Sequence, residues 1–394
     1  MKQIIFILLI VVANNLYGVS PYISKVYEYS PAPGQFINEL PEYETDDTGN
    51  DMRLKAEECI AEDERILISL GGYGGYVIFG FDHLVENIAG EYDFKILANA
   101  FYANANPNPY APKKGGSCEP GIVMVSYDAN GNYKPDDEWY ELAGSEYGKP
   151  ETIKDYQITY YRPDPNKIPT PDNNYPYLND TTYIKWTTNG HGDGYLSRNV
   201  YHLQSYFPLW TDEDHLTFEG DKLNDNYVDE SGNGTYYVQY AYEYGYVDNH
   251  PNNDTGSNFD ISWAVDKSGG VVNLPGIHFV KVMTGVNQYC GWLGETSTEV
   301  MGAQDLHLLP WVGGTEKISD VKRNQFVKIM ENPVKDMLTI VSNKNIDAEI
   351  YSIHGKLLLN IKLYQGMNKV YLNNIDAGIY ILKCDTNNIK FIKK

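Results

Sequence analysis

Short runs of alternating apolar and polar residues, broken by clusters of Gly, Asn, Asp and Pro, recur along most of this chain. Alternation with a period of two places one side-chain set on each face of a strand. The pattern predicts strands at Ile66–Leu70, Tyr76–Phe81, Phe94–Phe101, Ile122–Tyr127, Trp139–Leu142, Tyr156–Tyr161, Tyr183–Thr187, Thr235–Val247, Phe259–Val265 and His278–Thr284. These runs are rich in β-branched and aromatic residues, which suit a pleated, half-buried surface. Helical periodicity is convincing only over Asp51–Glu64. Many short strands at this spacing argue for a mainly β fold: an antiparallel sandwich or jelly-roll-like body, followed by a small C-terminal β-sandwich. The segment Pro163–Tyr177, with five Pro, reads as a long loop. No internal repeat is visible.

The two ends differ from the middle. Met1-Lys2 precedes an apolar run, Ile4–Ala13, of the length of a secretory signal and too short to span a bilayer. Gly18 and Ser20 offer cleavage points, and no Cys precedes Cys59, so no lipoprotein anchor is expected. No other run suits a transmembrane segment. At the other end stand Asn332-Pro333, the strand Leu338-Thr339-Ile340, the turn Tyr351–Lys356, then Ala377-Gly378-Ile379-Tyr380 and a basic tail. In that order these motifs resemble the C-terminal sorting domain of type IX secretion cargo in Bacteroidetes. Ser352 stands where that family has Asp, and Ala377 is offset from its usual Leu. The resemblance implies export to the cell surface or beyond, with the type IX machinery as partner. The expected organisation is a signal peptide over 1–18, a body over 19–309, a linker over 310–325 and the sorting domain over 326–394.

Charge sharpens the division. The whole chain is −22; from Asp320 onward 12 Lys and Arg face 7 Asp and Glu, and Lys2 adds one more positive charge, which leaves −28 for the body. Such a body does not bind nucleic acid or anionic membrane by charge. It suits an extracellular protein that uses carboxylates to hold cations. Four cysteines in an oxidising compartment permit disulfides, and Cys118–Cys290 is the first expectation; no Cys/His spacing suggests zinc.

A second resemblance covers nearly the whole body. Its motifs are Ser30–Glu44 (SPAPGQFINELPEYE), Ser69–His83 (SLGGYGGYVIFGFDH), Asp93–Phe101, Glu119–Tyr147, Phe259–Asp266 and Leu274–Val300. They look like a family of Bacteroidetes cell-surface proteins that are exported and β-sandwich-like. Some members sit among surface nutrient-capture proteins, cobalamin uptake included.

Candidate chemistry begins at Asp128-Ala-Asn130-Gly-Asn132-Tyr-Lys-Pro-Asp136. Oxygen side chains at alternating positions can converge on one hard cation, so Asp128, Asn130, Asn132 and Asp136 are expected calcium ligands. The register is not that of an EF-hand, and an Asx-rich hairpin turn is the competing reading. Two weaker acidic clusters are Asp221, Asp225, Asn226 and Asp229, and Asp248 to Asp260. The chain holds 35 Tyr. Tyr236, Tyr240, Tyr242, Tyr244 and Tyr246 would share one face of a regular strand, either packed in a core or exposed as a stacking platform. Tyr289, Trp292 and Trp311 flank Gly-rich turns and are the expected ligand-contact residues.

Enzyme motifs such as G-x-S-x-G and H-E-x-x-H are absent. The sum of these readings is a calcium-stabilised, non-catalytic surface protein that binds a glycan or a cofactor such as cobalamin. The alternatives are a glycan-degrading enzyme and a structural surface component.

Overall fold

A computed structural model describes residues 20–103, 114–308, 327–329, 334–342, 344–352, 356–373, 375–376, 378–384 and 387–394. The expected signal peptide, the linker and Trp311 lie outside the described residues. The chain divides into two compact units, Met1–Trp311 and Val312–Lys394.

The first unit is built on a six-stranded antiparallel sheet. Its spatial order is Lys25–Ser30, Tyr76–Glu86, Gly276–Thr284, Gly121–Ser126, Trp139–Leu142 and Ala264–Val265. Val77, Phe79, Val123, Val125, Val280 and Val282 supply its buried apolar positions. Against this layer pack a helix and a three-stranded sheet made of Asn258–Phe259, Phe94–Leu97 and Gly302–Asp305. A separate four-stranded sheet, Asp193–Asn199, Leu178–Thr188, Ile153–Tyr161 and His215–Lys222, closes on its own core of Tyr156, Ile158, Tyr160, Ile184 and Phe218. The body is thus mainly β, in several antiparallel layers.

The helix runs Gly49–Ile60 rather than Asp51–Glu64. Its start is fixed by a capping box: the Thr48 hydroxyl accepts the Asp51 N–H at 3.3 Å, and the Asp51 carboxylate accepts the Thr48 N–H at 2.8 Å. Met52, Ala56 and Ile60, four residues apart, form its buried stripe. It stops because Ala61 turns extended and Glu62 adopts φ 53.

Several expected strands are shorter or interrupted. Phe94–Phe101 is two strands, Phe94–Leu97 and Phe101–Tyr102, and a 3₁₀ turn capped by Asp260 splits Phe259–Val265. The tyrosine-rich stretch is a strand only over Tyr237–Tyr240. The chain then turns at Gly245 (φ 90), where a Cβ would lie 2.5 Å from the Gly144 Cα. Tyr242 and Tyr246 are buried and Tyr244 is partly exposed, so no single tyrosine face exists. Strands Lys25–Ser30, Asp193–Asn199 and His215–Lys222 were not anticipated from the pattern.

The second unit is a small sandwich. Val327–Ile329, Met337–Ser342 and Gly366–Tyr371 form one sheet; Leu357–Leu363, Ile346–Ser352, Gly378–Cys384 and Asn387–Lys393 form the other. Leu338 and Ile340 of the first sheet meet Ile350, Leu363, Leu382 and Phe391 of the second in a largely aliphatic core.

All four cysteines are unbonded, which corrects the expected Cys118–Cys290 bridge. Both of those residues are buried among neighbours that already satisfy the space; the Cys290 sulfur lies 3.6 Å from the Thr296 hydroxyl. Burial pushes the Cys118 thiol well above its ordinary range and the Cys290 thiol up to about 12, so neither is a reactive thiolate.

Candidate functional site

A cavity of about 400 Å³ opens in the body. One wall is the segment around Gln35, Phe36 and Leu40, and the facing wall is Trp292–Glu299. Tyr201 and His202 border it, with Ser117, Glu119 and Gln239 deeper in. The two walls are laced together. Gln35 Nε2 donates to the Leu293 carbonyl at 2.8 Å, its Oε1 accepts Asn199 Nδ2 at 2.7 Å, and its backbone N–H donates to the Glu295 carboxyl. Glycine permits the approach: Gly294 adopts φ 95, and a Cβ there would lie 2.4 Å from the Gln35 side chain.

Trp292 sits on a single 3₁₀ turn, Gly291–Leu293, and is 42% exposed at the cavity rim. Gly291 holds φ 60, a backbone shape that favours glycine, so the ring stands clear of the core. Tyr289 is half-buried and outside the lining; its hydroxyl has no hydrogen-bond partner among the described residues. Trp311 lies outside the described residues.

Glu119, Glu295 and Glu299 make the lining of the cavity acidic. Asp248 stands outside the lining, and carboxyl oxygens of Glu119, Asp248 and Glu299 all lie within 4.8 Å of one another. Asp248 is held by the N–H groups of Asn99 and Glu299, each at 2.9 Å. Glu119 accepts Gln239 Nε2 at 3.3 Å, and Glu299 accepts the Ser69 hydroxyl at 3.4 Å. Burial raises all three carboxyls above the ordinary range, and their mutual repulsion adds to the rise in Asp248 and Glu299. Burial pushes Glu295, against the Gln35 wall, up to about 8. Among the described residues no Lys or Arg lines the cavity. Such a group of acids has two ways to lower its energy. It can keep protons, or it can surround a hard cation with oxygen ligands.

This trio was not legible as a unit, because its members lie far apart in the sequence. Asp248 belonged to one of the weak acidic clusters, but its partners there do other work. Asn249 and Asn252 bond the backbone at Tyr242 and Ala98, and Asp254 caps a 3₁₀ turn. The other weak cluster also disperses: Asp221 pairs with Lys154, Asp225 with Lys222, and Asp229 closes its own loop.

The loop expected to hold calcium is tied together by its own side chains. Asp128 Oδ1 accepts the Asn132 N–H at 3.1 Å and its Oδ2 the Tyr133 N–H at 2.9 Å. Asn130 Nδ2 and Asn132 Nδ2 both donate to Asp136, at 3.0 and 3.1 Å to its Oδ1. These amide bonds hold the Asp136 carboxyl below its usual range. Asn130 and Asn132 thus meet Asp136 side chain to side chain, while Asp128 binds the loop backbone, and Asx-type turn bonds close the loop.

No curated protein matches the chain. Among the described residues no helix is long and apolar enough to cross a membrane. Residues 328–394 match the family "Secretion system C-terminal sorting domain". The second unit is that domain's sandwich, and the chain is accordingly a type IX secretion cargo of the Bacteroidetes kind, delivered to the cell surface or the exterior.

Proposed function

We propose that the exported body is a ligand-binding protein and that the acid-floored cavity beside Trp292 is its binding site. One observation carries this reading. A concave space of ligand size combines an exposed aromatic ring with convergent polar groups of shifted acidity. Trp292 supplies a stacking face of the kind that suits a sugar ring or a flat cofactor such as cobalamin. Gln35, Gln239 and His202 supply hydrogen bonds that fix orientation. The test is a calorimetric screen of the full chain against neutral oligosaccharides and cobalamin. Saturable binding of one class supports the reading, and no binding of either at millimolar concentration refutes it.

The same cavity supports a second reading, hydrolysis of a glycan. Glu119 and Glu299 both line the cavity with carboxyl oxygens no more than 4.8 Å apart, and burial raises both acidity constants, as a general acid requires. Release of reducing ends in the same screen distinguishes catalysis from capture.

We propose further that Asp128, Asn130, Asn132 and Asp136 take a calcium ion. Two carboxylates and two side-chain amides gathered at alternating positions of one loop support this.

A further inference from the structure

A second cavity, of about 620 Å³, lies at the end of the four-stranded sheet under the proline-rich loop. Pro163, Pro165 and Pro169 of that loop form one side. Arg162, at the end of strand Ile153–Tyr161, and Arg198, on strand Asp193–Asn199, reach it from the sheet. Each guanidinium lies over an aromatic ring: Arg162 is 4.5 Å from the Phe207 centroid and Arg198 5.0 Å from that of Tyr183. Stacking of this kind holds the charged fork in place without neutralising it.

The carboxylate that could neutralise Arg198 is engaged elsewhere. Asp180 is its cross-strand neighbour, but both Asp180 oxygens bind Lys167 Nζ, at 2.6 and 2.7 Å. Arg162 donates from Nε to the Glu213 carbonyl and from Nη2 to the Thr211 carbonyl, which fixes its orientation. Among the described residues, neither arginine has an ion-pair partner. The lining sets three cations, Arg162, Lys167 and Arg198, against two carboxylates, Asp164 and Asp180, and in a body that carries a large negative charge this local excess of positive charge is the reverse of the general pattern.

Two polar atoms of the lining are buried and unbonded among the described residues: Arg198 Nε, a donor, and Asn179 Oδ1, an acceptor. Asn179 occupies a register shift between the pairs Leu178–Asn199 and Asp180–Arg198. A bulge of this type re-aims a side chain, here beside the arginine. Buried polar groups are normally satisfied, and the protein does not complete these two itself.

We propose that this cavity binds a hydroxylated carboxylic acid, the uronate unit of an acidic saccharide. Its carboxylate meets the paired guanidinium groups, and its hydroxyls supply the donor that the asparagine oxygen lacks. The site is separate from the acid-floored cavity and does not depend on the function assigned there.

Calorimetry on the full chain compares D-glucuronate, D-glucose and acetate. Glucuronate is expected to bind saturably and at least about tenfold more tightly than either fragment chemistry alone. Arg198→Gln is expected to reduce glucuronate affinity at least about tenfold. Asn179→Asp, which keeps the volume and adds a repelling carboxylate, gives the same loss if the arginine variant does not fold. Absence of glucuronate binding at tens of millimolar overturns the proposal. So does equal affinity for acetate, which denotes a generic anion site, and so does binding indifferent to both variants.

Discussion

The body and the sorting unit are both antiparallel β structures, yet they bury different things. The sorting unit closes two sheets on a mostly aliphatic core of Leu338, Ile340, Ile350, Leu363 and Leu382. The body buries tyrosines, and with them Asp248, Glu295 and Glu299, with Glu119 half-buried beside them. An aliphatic core gives stability that hardly responds to pH. Buried acids cost free energy whenever they ionise, and a fold retains them only where the rest of the structure offsets that cost. The contrast separates an address from a working domain.

The largest effect expected from breaking this pairing is on delivery. Removal of residues 328–394 is expected to abolish arrival at the cell surface in cells with a working type IX system, while the body keeps its melting temperature. Surface proteolysis and calorimetry check the two halves of the statement. Next comes pH. Glu295 has its folded acidity constant raised from the ordinary carboxylate value to about 8. The protonated form is the one the fold favours, so its contribution is complete below about pH 4.5 and is lost as the pH rises through 8. The acidic trio is shifted the same way. The stability of the full chain therefore falls between about pH 5 and pH 8, by a change on the order of a few kcal/mol, and the melting temperature falls with it. Glu295→Gln, which still accepts the Gln35 N–H, is expected to flatten that fall; a parallel curve for the variant would remove Glu295 as its source.

Smaller effects sharpen the comparison within the body. Trp292→Ala is expected to weaken any ligand of the acid-floored cavity by about tenfold with an unchanged melting curve, since the ring is exposed and stacking contributes roughly 1 kcal/mol or more. The calcium loop should respond least. Chelator is expected to lower the wild-type melting temperature by a few degrees, and the double variant Asp128→Ala, Asp136→Ala is expected to melt low and ignore calcium.

The legibility of the two regions in the sequence follows the same contrast. In Met337–Ser342 every second residue is buried, and the strand at Leu338-Thr339-Ile340 was expected there from the resemblance to the sorting domain. Trp139–Leu142 has the bounds expected from its residue types. The tyrosine stretch misled because alternation continues in the letters past Tyr240 while Gly245 turns the chain. Lys25–Ser30 was passed over because it buries only Val26 and Tyr29, three residues apart, around a bulge. Trp292 was found through its flanking glycines, which are local. Glu119, Asp248 and Glu299 are brought together by sheet pairing and by the Gly121–Val247 bridge, and no local pattern encodes such a meeting.

The unbonded cysteines carry one more consequence. With no covalent cross-link, the fold rests entirely on non-covalent packing, so reducing agent is expected to leave its denaturation midpoint unmoved. Cys118 and Cys290 stand in the body and Cys384 in the sorting unit, all sealed from solvent. Each thiol thus becomes a built-in clock: the rate at which a maleimide labels it in native buffer measures how often its own unit opens.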